Sequence, residues 1–184
     1  MWFVLYEVYK HTSSRRNAIS APNHPHPLTR IEERLYLGAL RDVESLASGN
    51  PQGIRSVITL CEEPVRHRRP DIQYLQFPIS ESETQDPRFL ATILSAIELA
   101  VAQGPVVVHC LLGVSRSPVI LAAHLNGTGL STFEAALEHL KELRPSVDPG
   151  VSLLRSVKSA LAALASGSPA RSKRSKSLPK GGER

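Results

Sequence analysis

The sequence predicts an α/β fold, a three-layer sandwich with a mainly parallel central sheet of about five strands. Short β-branched runs at residues 54–60 and 106–108 are typical of buried strands. Segments with apolar residues at helical spacing separate these runs, and this alternation favours parallel pairing. Hydrophobic residues form 41% of the 184-residue chain, enough for a sizeable core. No run reaches the roughly 18 apolar residues that a membrane-spanning helix needs.

Composition divides the chain into an N-terminal extension and linker (residues 1–28), a folded domain (29–165) and a disordered basic tail (166–184). The tail holds six basic residues and one acidic residue, and the rest of the chain is neutral. The formal net charge of +5 therefore belongs to the tail. Such a tail is suited to contacts with acidic partners, but a solubilising role explains it more simply, so we do not predict nucleic-acid binding.

The N-terminal segment and the use of cysteine in the sequence both indicate a reducing compartment. The aromatic-rich first nine residues lack the basic start and the small-residue cleavage site of a signal peptide, and they suit an edge strand or a docking segment. The two cysteines, Cys61 and Cys110, do not suggest a disulfide framework. We therefore expect a cytoplasmic, monomeric protein.

The first half of the domain begins near Thr29. Its predicted elements are a strand at residues 34–38, an amphipathic helix at 41–48, and strands at 54–60 and 74–79. The basic cluster, Arg66, His67, Arg68 and Arg69, follows a strand's carboxyl end, which is the ligand side of a parallel sheet. We interpret the basic cluster either as an attraction for a phosphorylated partner or as a solvated loop.

Cap residues and helical spacing mark the helices of the second half. Asp86 and Pro87 start a helix that Gly104 ends. The strand at 106–108 follows, and then a helix at 117–126.

Two more helices complete the domain. Ser131 and Glu134 form a capping box for a helix that runs to about Leu143. Asp148 and Pro149 are expected to cap the last helix.

The stretch PVVVHCLLGVSRSP, residues 105–118, joins a buried strand to a helix through a short loop. Cys110 ends the strand, and five residues (111–115, the phosphate loop) separate it from Arg116. A loop that runs into a helix N-terminus directs backbone N–H groups and the positive helix dipole at one point. That point suits a phosphate oxyanion or a thiolate, and Arg116 adds a forked permanent charge. Gly113 lets the backbone turn without a Cβ. The pattern predicts a phosphate cradle with a nucleophilic cysteine at its floor.

The motif HCLLGVSRS resembles the Cys-x5-Arg-Ser/Thr loop of the cysteine-dependent protein tyrosine phosphatases, and more closely that of the small dual-specificity phosphatases. The string RIEERLYLGAL resembles the first strand of the dual-specificity enzymes. The resemblance covers about residues 29–164, so it implies that the folded domain is a dual-specificity phosphatase-like catalytic domain with the tyrosine-phosphatase fold. It also implies hydrolysis of phosphotyrosine and phosphoserine/threonine monoesters in a protein or peptide substrate.

The resemblance assigns expected roles to individual residues. Cys110, as a thiolate, attacks phosphorus, Ser117 assists the later departure of the thiolate, and His109 orients the loop. Phosphate oxygens are held by the Arg116 side chain and by backbone N–H groups, which belong to Leu111, Leu112, Gly113, Val114, Ser115 and Arg116. No metal and no other cofactor is expected, because the guanidinium and the amides supply the positive charge.

The general acid departs from the family pattern. The family carries an Asp on the loop after a strand, whereas this chain has Glu81 at the matching position, with one more methylene. Glu83 and Asp86 are alternatives, although a helix cap explains Asp86 better. A site without an effective acid is the remaining alternative.

Two further positions differ from the family. The segment RPSVDPG, residues 144–150, resembles the family's Arg-Pro-x-x-x-Pro-Asn, but Gly150 replaces the Asn, so a side-chain hydrogen bond to the phosphate loop is lost. His124 replaces a usual Tyr and is expected to be a partly buried structural histidine.

Cys61 directly follows the predicted strand at 54–60, beside the strand that carries Cys110. Some family members form a reversible disulfide between such a pair, which protects the thiolate from irreversible oxidation. An ordinary buried cysteine is the alternative.

The interior of the phosphate loop contains no Lys or Arg. Relatives that act on inositol phosphates tend to carry basic residues there, so singly phosphorylated substrates are favoured. The alternatives on the same fold are a lipid, RNA 5′-end or nucleotide phosphatase, or a weakly active phospho-binding pseudophosphatase.

Overall fold

The computed structural model describes residues 28–129 and 131–167. Nearly all of the predicted N-terminal extension and basic tail lies outside the described residues. Within them, strands form one sheet in the order β1-β2-β5-β3-β4. The strands are β1 (Thr29–Arg30), β2 (Leu35–Ala39), β3 (Ser56–Thr59), β4 (Gln73–Gln76) and β5 (Val106–Cys110). Strand β1 runs antiparallel to β2 and every other pair is parallel, which confirms the mainly parallel sheet.

The helices differ from the prediction mainly at their ends. They are α1 (Leu40–Glu44), α2 (Pro87–Gln103), α3 (Arg116–Gly127), α4 (Phe133–Leu143) and α5 (Val151–Ala165). The helix predicted at 41–48 is α1 followed by a 3₁₀ turn, Ser45–Ala47. The Ser45 hydroxyl donates to the backbone carbonyl of Asp42 at 2.6 Å, a local bond that competes with α-helical continuation.

Strand β5 occupies the centre of the sheet, and all of its residues are buried. Val106 and Val108 belong to the larger core, which includes residues of α2 to α5, whereas Val107 belongs to a smaller core with Val43 and Leu46. The sheet therefore has helices on both faces, and neighbouring strands hold the carboxyl end of β5 on both sides. In the part of the chain that is described, no helix is long and apolar enough to cross a membrane.

The start of α2 agrees with the sequence. The Asp86 carboxylate accepts a hydrogen bond from the backbone N–H of Arg88 at 2.8 Å, and Pro87 stands in the first turn. Gly104 follows the last residue of the helix, as predicted.

The capping box predicted for Ser131 and Glu134 is wrong. Thr132 is the N-cap of α4, and its hydroxyl accepts from the backbone N–H of Ala135 at 3.2 Å. Glu134 instead pairs with Lys158 of α5 at 2.6 Å. Serine and threonine are both favoured N-cap residues, so the choice between neighbours depends on where the chain enters the helix.

The cap predicted for α5 is also wrong. The helix begins after Gly150, which provides no side-chain cap. The backbone N–H of Asp148 donates to the carbonyl oxygen of Val114 at 3.0 Å. This segment therefore docks on the phosphate loop before the helix starts, and the docking determines the position of Asp148.

Candidate active site

Regular structure holds both ends of the phosphate loop. Cys110 is the last residue of β5, and Arg116 is the first residue of α3. Gly113, in the middle of the loop, has a φ of 68°. A Cβ at this position would lie 2.7 Å from the carbonyl oxygen of Gly38, closer than side chains approach backbone. The loop can therefore turn against the end of β2 only because residue 113 is glycine.

A pocket opens at the carboxyl end of β5. Its described lining comes from the phosphate loop and the segments around it: Glu81, Cys110, Leu111, Leu112, Val114, Ser115, Arg116, Asp148, Pro149 and Gly150. The pocket thus brings together most of the residues that the sequence singled out. Gly113, Ser117 and His109 are not part of this lining.

The Cys110 sulfur is buried among hydrogen-bond donors. Burial opposes ionisation of the thiol. The Ser117 hydroxyl donates to Sγ at 3.3 Å, and the backbone N–H of Ser117 also hydrogen-bonds to it. Together with the Arg116 charge and the Gly113 backbone N–H, these donors hold the pKa of Cys110 below its ordinary value. The floor of the pocket therefore favours a thiolate.

Arg116 and Glu81 face each other across the pocket. Nε of Arg116 lies 3.3 Å from Oε1 of Glu81, an ion-pair contact without the alignment of a hydrogen bond. The Glu81 side chain is 52% exposed, so it can move. Of the three acids that the sequence suggested, only Glu81 lines the pocket among the described residues, since Asp86 caps α2 and Glu83 is not part of the lining.

His109 lies on β5 behind the loop, and its ring contacts the neighbouring strand β3. Its ring Nδ1 lies 3.2 Å from the Cys110 carbonyl oxygen, and its Nε2 lies 2.7 Å from the Thr59 hydroxyl. Burial lowers the pKa of His109 to about 4, so the ring is neutral near neutral pH. A neutral ring that donates from Nδ1 and accepts at Nε2 satisfies both contacts and joins β3 to the start of the loop.

Cys61 is a fully buried free thiol just beyond β3. Its Sγ donates to the carbonyl oxygen of Glu63 at 3.7 Å. Burial raises the pKa of Cys61 to about 12. Cys61 packs in the smaller core, whereas Cys110 belongs to the larger one, and both are free thiols.

The sequence did not assign a role to Asp42 or Arg144. The Arg144 guanidinium donates to the carbonyl oxygen of Leu112 at 3.4 Å and lies 3.7 Å from the Asp42 carboxylate. In the sequence, Arg144 stood out only as part of the segment that resembles the family. Asp42 was only one residue of a predicted helix. No local pattern could pair them, because the sheet brings them together.

The basic cluster lies outside the pocket lining. The Glu44 carboxylate accepts the backbone N–H groups of Arg66 and His67 at 2.6 and 2.9 Å. The Arg69 side chain forms an ion pair with Asp71. The guanidinium of Arg68, the remaining residue of the basic cluster, lies over the Tyr74 ring. Local contacts therefore engage the charged side chains of Arg68 and Arg69.

His124 is 9% exposed in α3, and burial lowers its pKa. The expectation of a partly buried histidine is therefore confirmed.

The chain is similar to known proteins in both sequence and fold. Residues 35–161 match the family model of the dual specificity phosphatase catalytic domain. Human dual specificity phosphatase 28 is 33% identical over 144 residues, which are 74% of this chain and 78% of that protein. Tyrosine-protein phosphatase yvh1 of Schizosaccharomyces pombe is 27% identical over 145 residues, again 74% of this chain. A crystal structure of a human DUSP28 variant has a TM-score of 0.67 at 26% identity, covering 78% of this chain and 100% of that one.

The fold and its relatives place the chain in the protein tyrosine phosphatase superfamily. Within that superfamily, it belongs to the dual specificity phosphatase catalytic-domain family. The chain spans 42% of the length of the yeast relative.

Proposed function

We propose that the protein is a cysteine-dependent phosphatase that hydrolyses phosphotyrosine and phosphoserine/threonine monoesters in proteins through a phosphocysteine intermediate. The observation that carries the proposal is the convergence of the Cys110 sulfur, the Arg116 guanidinium and the phosphate loop on one pocket. A thiolate at the floor of a ring of donors can receive a phosphoryl group, and the same donors stabilise its equatorial oxygens.

In the first step the Cys110 thiolate attacks phosphorus in line. The S–P bond forms while the bond from phosphorus to the leaving oxygen breaks. Glu81 donates a proton to that oxygen, so the product leaves as an alcohol or phenol. Arg116 and the loop amides hold the remaining phosphoryl oxygens throughout.

In the second step a water molecule replaces the product. The Glu81 carboxylate takes a proton from the water as its oxygen attacks phosphorus, and the S–P bond breaks. The electron pair returns to sulfur, where the Ser117 hydroxyl stabilises the departing thiolate. Inorganic phosphate then leaves.

The Arg116–Glu81 contact has a consequence for the role of Glu81. A phosphoryl dianion offers Arg116 a better, bidentate partner than one carboxylate oxygen at 3.3 Å. Substrate binding therefore releases Glu81 from the guanidinium, and its long, half-exposed side chain can reach the leaving oxygen.

The charges around the pocket support a singly phosphorylated substrate. Arg116 is the one cationic side chain in its described lining, whereas Glu81 and Asp148 are both acidic. A ligand with several phosphates would meet two carboxylates and no additional cation. Protein phosphomonoesters are therefore favoured over polyphosphorylated lipids.

The test is hydrolysis of p-nitrophenyl phosphate and of phosphotyrosine and phosphothreonine peptides. We expect turnover by the wild type, none by Cys110→Ser, and a reduction of about a hundredfold for Glu81→Gln. Glu83→Gln is the matched control, because Glu83 is a neighbouring glutamate outside the pocket lining. Activity that survives Cys110→Ser contradicts the mechanism, and an undiminished rate in Glu81→Gln reassigns the acid.

Reversible oxidation is a proposed control of the same site. Peroxide would oxidise the Cys110 thiolate to a sulfenic acid, and the Cys61 thiol would then form an S–S bond as water leaves. The intact mass should then be lower by the two lost hydrogens, and a sulfinate at Cys110 would count against the bond. A thiolate nucleophile of this kind fits a reducing compartment such as the cytoplasm.

A further inference from the structure

The peptide group between Leu112 and Gly113 has two polar ends, and each has its own partner. Its N–H hydrogen-bonds the Cys110 sulfur. Its carbonyl oxygen accepts from Nη2 of Arg144 at 3.4 Å. In a trans peptide the N–H and C=O point in opposite directions, and the described chain contains no cis peptide. A donor that fixes the Leu112 carbonyl oxygen on one side of the peptide therefore also fixes the Gly113 N–H on the opposite side.

Arg144 is itself held by residues from the other end of the domain. Its Nη2 lies 3.7 Å from Oδ2 of Asp42, and its Nη1 donates to the Thr29 hydroxyl at 3.4 Å. The Asp42 side chain is only 1% exposed, and it accepts the backbone N–H of Ala39 at 2.8 Å. A buried carboxylate with a fixed donor is a rigid anchor for a guanidinium.

Close packing limits movement of the guanidinium toward the loop. A Cβ on Gly113 would lie 2.9 Å from Nη2 of Arg144 and 2.7 Å from the Gly38 carbonyl oxygen. The arginine, the end of β2 and the middle of the phosphate loop are therefore in direct contact.

We propose that Arg144, anchored by Asp42, is a positioning residue that keeps the N–H of the Leu112–Gly113 peptide directed at the Cys110 sulfur. The inference rests on the proposed function, which gives that sulfur its role as a thiolate. Two guanidinium groups then stabilise the thiolate form of the same sulfur. Arg116 acts on it directly across the pocket, and Arg144 acts through a single peptide group that it orients and polarises.

Other charged or titratable groups also lie near the sulfur, and every variant below leaves them in place. They are Arg116, Glu81, Asp148, Cys61 and His109.

The test is the pH dependence of Cys110 alkylation by iodoacetamide in the full chain, read from the mass of the labelled peptide. Arg144→Met should raise the apparent pKa of Cys110 by about one unit, so that alkylation below that pKa slows about tenfold. Arg144→Lys should give a smaller rise, because lysine keeps the charge but not the fork. Asp42→Asn should also give a smaller rise, because the anchor is weakened. Arg155→Met, at an exposed arginine on α5, is the control and should give none.

If Arg144 only supports the fold, its replacement should lower the melting temperature and leave the apparent pKa of Cys110, read from alkylation, unchanged. That result in Arg144→Met, or in Arg144→Lys if the methionine variant does not fold, would overturn the proposal. The assay needs no turnover. A wild type that fails to hydrolyse phosphoesters would contradict the proposed function, and the alkylation comparison would still decide the role of Arg144.

Discussion

Two buried cysteines stand at the ends of neighbouring parallel strands, yet their thiols differ sharply in acidity. Burial raises the pKa of Cys61 to about 12. Cys110 is almost as inaccessible, at 2% exposure against 0%, and burial opposes its ionisation too, but its pKa is below the ordinary value. The Cys61 sulfur donates to a carbonyl oxygen, whereas the Cys110 sulfur accepts from N–H and O–H groups.

The comparison shows that burial alone does not activate a cysteine in this fold. Desolvation makes both thiols weaker acids. What reverses the effect at Cys110 is the direction of the dipoles around the sulfur, which a loop leading into a helix N-terminus provides. Cys61 lies one strand away and meets a carbonyl oxygen instead. Four predictions follow for the two thiols and for the residues that surround Cys110, from the largest expected effect to the smallest.

The first prediction concerns alkylation of the two thiols in the same folded chain. Near neutral pH a thiol with a pKa of about 12 is ionised in about one molecule in 10⁵. Iodoacetamide should therefore label Cys110 at least about a thousandfold faster than Cys61. Mass spectrometry of the two peptides over time measures the ratio. The urea-unfolded chain is the control, since both cysteines should label at similar rates there, and similar rates in the folded chain would contradict the prediction.

The second prediction compares two glycines with nearly the same backbone angle. Gly113 and Gly53 have φ values of 68° and 65°, but a Cβ at Gly53 meets nothing within 4 Å. Gly53→Ala should cost about 1 kcal/mol of unfolding free energy and leave turnover within about twofold. Gly113→Ala should also displace the phosphate loop from Gly38, and lower kcat/KM about a hundredfold. Equal turnover in the two variants would show that the contact with Gly38 does not set the loop geometry.

The third prediction uses His109, a buried group on the same strand as Cys110. The folded protein holds its pKa at about 4, below the ordinary 6.5, so the unfolded chain binds more protons between these values. The contribution of neutral His109 to the free energy of unfolding is therefore fully present above about pH 6.5. It falls by about 3 kcal/mol as the pH drops to about 4.

His109→Gln should flatten this part of the profile of unfolding free energy against pH, measured by urea titration at each pH. His139→Gln, at a half-exposed site on α4, is the control and should leave the slope unchanged. A slope that persists in His109→Gln would assign the titration to another group.

The fourth prediction removes one donor from the Cys110 sulfur. Ser117→Ala deletes the hydroxyl at 3.3 Å and should raise the pKa of Cys110 by about half a unit to one unit. Since the proposed mechanism needs the thiolate, the acid limb of kcat/KM should move to higher pH, with a loss of about three- to tenfold on that limb. Ser152→Ala, at an exposed site on α5, is the control. An acid limb that does not move would exclude the hydroxyl as a donor to the thiolate.

The sequence was most informative where function depends on neighbours along the chain. The strand, the proposed nucleophile Cys110, the loop and the helix start all fall within residues 105–118, and adjacent residues alone predict each of them. The cap at Asp86 was predictable for the same reason. The caps predicted at Ser131 and Asp148 were wrong, because packing between α4, α5 and the phosphate loop decided where those helices begin.

The amino-acid order by itself determined the fold class, the position of Cys110 and Arg116 at either end of one loop, and the need for glycine between them. Only the tertiary structure decided that Glu81 faces Arg116 and that Arg144 reaches the loop. It also brought Thr29 to Arg144 across 115 positions of sequence. The physical reason is the range of the forces involved. Turns and helix starts depend on adjacent dihedral angles, whereas ion pairs and buried donors depend on which strands the sheet places side by side.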